Sequence, residues 1–193
     1  MSKFKFVFRI EDNCNVLEVF KEKLEEYHIW GLLNILVDNV SYFQNLKTSY
    51  INEFYRGTSS ISQEGITVPI FPFVEAILDS IDQINNGAKK VIISEHTGQI
   101  SKSIVCEINS ETIKFAILNG LFCEDDENTW YDGKKVSKIH SSKISIVDKK
   151  NFIEGSIESI KEFLLFLLDK FPGLEEIHQF NKLLKQLKIE SRD

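Results

Sequence analysis

Residues Asn151–Phe171, NFIEGSIESIKEFLLFLLDKF, organise the reading of the chain. Ile153, Ile157, Ile160, Leu164, Leu167 and Phe171 recur at steps of three and four, which is the spacing of one helical face. Phe163, Leu165, Phe166 and Leu168 widen the apolar surface of the second half, so that half is expected to be buried on most sides. Such a helix needs a sheet or other helices around it.

Reading outward, Ile144-Ser145-Ile146-Val147 forms a strand just before this helix, and Asp148 leads into it. Phe171-Pro172-Gly173 ends it, because proline cannot continue a helix. Leu174, Ile177, Phe180, Leu183, Leu184 and Leu187 then predict a final amphipathic helix.

At the other end, Phe4, Phe6, Phe8 and Ile10 alternate with Lys3, Lys5, Val7 and Arg9, the period of a half-buried strand. Asn13 or Asn15 caps a following helix with Leu17, Phe20, Leu24 and Tyr27 on its apolar stripe. Its other face carries Glu18, Lys21, Glu22, Glu25 and Glu26. From Ile29 to Tyr55 the spacing of Leu32, Leu33, Leu36, Val40, Phe43, Leu46, Tyr50, Ile51 and Phe54 predicts more helix, broken near Gly31 or Asn45–Ser49. Gly57–Gly65 reads as a loop. Val68-Pro69-Ile70-Phe71-Pro72-Phe73 opens another helix, continued by Val74, Ile77, Leu78, Ile81 and Ile84 and ended by Asn85-Asn86-Gly87.

After Gly87 the period changes to that of strands: Val91-Ile92-Ile93, Ile104–Ile108, and Ile113–Leu118 across the turn Asn109–Glu111. Thr97-Gly98 reads as a turn, and Asp132-Gly133, between Trp130-Tyr131 and Lys134-Lys135-Val136, is a hairpin signal. The expected architecture is one α+β domain over 1–193. It has an N-terminal strand, a helical part over about 11–87, an antiparallel meander over about 88–148, and C-terminal helices over about 151–188.

Composition narrows the function classes. Lys and Arg total 23 against 29 Asp and Glu, a net charge of −6. That balance repels a phosphate backbone, and the longest basic runs are pairs such as Lys89-Lys90, so direct nucleic-acid binding is not expected. Cys14, Cys106 and Cys123 are an odd number without Cys-x-x-Cys spacing, which disfavours a disulfide framework or structural zinc and suits reduced thiols. MSKFKFVFRI has no continuous apolar core of a signal peptide, and the longest apolar run, Phe163–Leu168, is far too short to span a membrane. A cytoplasmic protein is expected.

Chemical motifs are sparse. His28, His96, His140 and His178 lack metal-ligand spacing, so no metal or cofactor is expected. Gly-x-Ser-x-Gly and both glycine-rich phosphate motifs are absent. Glu95-His96 beside Thr97-Gly98 is an acid–base pair at a strand end and carries an alternative reading as a small hydrolase or nuclease, with an exposed turn histidine as the simpler account. A nuclease carboxylate at Asp79 or Glu95 lacks its Glu-x-Lys, since Glu111-Thr112-Ile113-Lys114 is one residue too long. Cys14 lies near a helix start, where a helix dipole can lower a thiol pKa, and Cys106 lies mid-strand; with no partner base, both are expected to be structural thiols.

The best candidate site is Glu124, Asp125, Asp126 and Glu127, followed by Trp130, Tyr131 and Asp132: five acids, no base, and two large aromatics. It lacks the alternation and the final glutamate of a calcium-binding EF-hand loop. A solvated acidic loop explains the charges; aromatic anchors ringed by carboxylates also suit docking of a basic protein surface.

The passage Ile144-Ser145-Ile146-Val147-Asp148-Lys149-Lys150-Asn151-Phe152-Ile153-Glu154, with Ser159-Ile160-Lys161-Glu162-Phe163-Leu164 after it, resembles the immunity proteins of bacterial polymorphic-toxin and contact-dependent inhibition systems. The likeness spans about the last third of the chain. It implies a non-enzymatic protein, monomeric when free, that binds and neutralises one cognate toxin domain, typically a basic nuclease. A third reading is a structural or regulatory subunit docking through the apolar face of Leu174–Leu187.

Overall fold

A computed structural model of the chain describes residues 3–11, 14–22, 29–44, 61–62, 64–94, 101–120 and 144–189. These form an α+β fold with two antiparallel sheets on one shared hydrophobic core.

The first sheet contains β1 (Phe4–Ile10), β2 (Trp30–Val37), β3 (Val40–Ser41), β4 (Ile61–Ser62) and β5 (Gly65–Pro69). Its order is β1-β2-β5-β4, with β3 paired to β2. Phe4, Phe6, Phe8 and Ile10 point inward while Lys5 and Arg9 face solvent, as the alternation of β1 predicts. The helix expected over Ile29–Tyr55 is corrected in its described part, where Trp30–Val37 form β2 for a clear cause, while 45–55 lie outside the described residues. Leu32 and Leu36 lie on the outer face and Leu33 and Ile35 on the inner, so leucines on both faces mimic helical spacing. Pairing with β1, from Phe4↔Val37 to Ile10↔Gly31, overrides the helical propensity of leucine. Asp38 and Asn39 then adopt positive φ of 53° and 64°, the type I′ geometry of a two-residue hairpin into β3. The stretch expected as a loop up to Gly65 ends in the β4–β5 hairpin, with Ile61↔Ile66 in register. The part over about 11–87 is therefore mixed helix and strand.

Helix α1 (Val16–Lys21) is capped by Asn15, whose Oδ1 accepts from the Glu18 N–H. Helix α2 (Ile70–Asn85) starts after Pro69 and ends at Asn86 and Gly87 (φ 90°), as its prolines and Asn-Asn-Gly predict. Ten of its side chains are buried, and its exposed residues are Asp79, Asp82, Gln83 and Asn85. α2 is the helix surrounded by protein.

The second sheet, β6 (Lys90–Ser94), β7 (Ser101–Ile108), β8 (Thr112–Gly120) and β9 (Ser145–Asp148), runs in chain order. Asp148 caps helix α3 (Lys149–Lys170), its Oδ1 accepting from the Asn151 N–H at 2.9 Å. The expectation for α3 needs correcting. Its buried face is Phe152, Ser156, Ser159, Ile160, Phe163, Leu164 and Leu167, while Leu165 and Phe166 are 42% and 51% exposed. The second half is thus buried on one side only. After Pro172-Gly173 a 3-10 turn (Leu174–Glu176) precedes α4 (His178–Gln186), so the single final helix expected is split at Ile177.

Nine of the fifteen phenylalanines, with Tyr42, form a relay of rings. Tyr42 touches Phe115 (5.4 Å between centroids), Phe115 touches Phe4 (5.7 Å), and Phe4 touches Phe152 (4.5 Å) and Phe6 (5.0 Å). Phe8 meets Phe163 (5.1 Å), which leads through Phe71 to Phe20 and Phe180. Both sheets and all four described helices are joined by this relay, whose tilted and edge-on contacts suit the ring quadrupole.

Candidate functional site

The partner-binding residues expected from the sequence, Glu124, Asp125, Asp126, Glu127, Trp130, Tyr131 and Asp132, lie outside the described residues, as do Glu95, His96, Thr97-Gly98 and Asp132-Gly133. Their flanks are described. β8 ends at Gly120, and β9 starts at Ser145 and lies beside β8 with Phe115↔Ser145 and Thr112↔Asp148 in register. Gly120 and Ile144, the described residues on either side of 121–143, thus belong to or adjoin neighbouring strands of the second sheet.

The outer strand β9 and the residue before it expose two large apolar side chains. Ile144 is 47% and Ile146 62% exposed, on the same outer side of β9. At the end of β9 lies an open groove of about 400 Å³ lined by Ser110, Glu111, Asp148, Lys149, Lys150, Ile153 and Glu154. Lys150 pairs with Glu154 at 3.8 Å within the helix, a surface pair of small energy. A second apolar surface is the outer face of the first sheet, where Trp30 is 42% exposed beside half-buried Leu32, Leu36 and Val7. The nearby bases are already engaged, Lys5 with Glu162 and Arg9 with Glu64 at 3.9 Å. The helical reading of this region hid Trp30; the Asp38-Asn39 turn signal would have revealed the strand that carries it.

The titratable groups behave as structural ones. Cys106 is fully buried, and burial pushes its thiol far up. The dipole effect expected at Cys14 is outweighed: burial, then Glu11, raise its pKa, partly offset by Lys170. α1 has only six residues, and Cys14 precedes its cap. Tyr42 is pushed up to about 12 by burial, opposed by a hydrogen bond in which Ile117 N–H donates to its hydroxyl at 3.4 Å. Lys114 binds Glu107 at 3.0 Å, and Asp79 is exposed on α2. Among the described residues, no group of three or more His, Cys, Asp or Glu is placed to hold a metal ion, and His178 is exposed. No helix among them is long and apolar enough to cross a membrane.

Comparison with known protein families, with curated proteins and with solved structures finds no match to this chain.

Proposed function

We propose that this protein is a non-enzymatic immunity protein that binds and neutralises a cognate toxin domain with a basic surface, such as a nuclease. The observation that carries the reading is the run from Glu124 to Asp132, with five acids, no base, and Trp130 and Tyr131 as anchors. Opposite charge accelerates the encounter, and buried aromatics slow dissociation.

The test is co-purification. The chain is expressed with its flanking reading frames and isolated by a tag, and the complex is weighed by native mass spectrometry. A stoichiometric basic partner, toxic when expressed alone, is the expected result. A partner that is neither toxic nor inhibited by the chain contradicts the reading. Within such a complex, Asp125→Lys combined with Asp126→Lys is expected to weaken binding at least tenfold and to flatten its salt dependence. Unchanged affinity and unchanged salt dependence would remove the acidic run as the interface.

A further inference from the structure

We draw no further inference here: the strongest candidate, the exposed apolar patch of Leu165 and Phe166 on the outer face of α3, is flanked by charges that cancel (Lys161 and Lys170 against Glu162 and Asp169), and nothing in the structure shows what covers it.

Discussion

β1 and β9 are both outer strands of antiparallel sheets, and both place apolar side chains along their length. β1 is closed by α3, whereas β9, the strand that feeds directly into α3, meets no covering element among the described residues. The closure depends on small residues. Gly155 allows the helix to lie against the β1 backbone, and Ser159 supplies the acceptor that a neighbouring strand would otherwise provide. Ser156 turns its hydroxyl back to the Phe152 carbonyl and stays buried without needing a partner outside the helix. An exposed strand edge invites another chain, and covering it with a helix is one of the standard remedies. The difference teaches that the helix is placed on the longer edge, seven residues, while nothing among the described residues covers the four-residue edge.

Substitutions can break this contrast, beginning with the largest effect. Gly155→Val places a branched side chain into the Phe4 carbonyl oxygen and forces α3 off β1. A loss of about 3 kcal/mol in urea unfolding is expected from overpacking at a backbone contact. A wild-type midpoint would show that the helix does not close this edge. Ser159→Ala keeps the packing but leaves the Phe6 N–H buried without an acceptor, at an expected cost of about 2 kcal/mol, with faster exchange of that amide. Stability equal to the wild type would mean the hydroxyl is not the acceptor.

Tyr42→Phe is expected to cost less, about 1 kcal/mol near neutral pH, because the bond from Ile117 is long at 3.4 Å. Its pH dependence sharpens the assignment. The phenol pKa is raised from 10.0 to about 12 in the folded chain. The folded state therefore holds its proton more tightly than the unfolded state. The associated stability is fully present below pH 10 and is lost as pH rises from 10 through about 12. Urea midpoints measured over that interval should fall more steeply for the wild type than for Tyr42→Phe. Parallel profiles would contradict the burial of Tyr42.

Much of this fold is legible in the sequence wherever one residue or one period decides an element locally. The alternation of Phe4, Phe6, Phe8 and Ile10, the prolines that open α2, Gly87 that ends it, and Asp148 as the cap of α3 are all of that kind. β2 is not legible by period, because Leu32 and Leu36 face outward while Leu33 and Ile35 face inward, and only its pairing with β1 settles the matter. The buried face of α3 is legible at Ile160, Leu164 and Leu167 but not in the first half of the helix. Apolar spacing points to Ile153 and Ile157, which are only half-buried, whereas the face is centred on Gly155, Ser156 and Ser159, whose value lies in their size and hydroxyls. The same stretch, Gly-Ser-Ile-Glu-Ser, reads in sequence as part of a hydrophobic helix, but a strand edge as its partner is a tertiary fact. The candidate site from Glu124 to Asp132 rests on its charge and aromatic pattern alone and lies outside the described residues.

Amide hydrogen exchange resolved by residue, on the wild-type chain at low micromolar concentration, tests the contrast most directly. The Phe6 amide, held by Ser159, should be protected nearly to the level of global unfolding, and the Ile146 amide, on an edge that no described element covers, should exchange rapidly. A rapidly exchanging Phe6 would show that α3 does not close β1, and a protected Ile146 would contradict the contrast by showing that the β9 edge is covered.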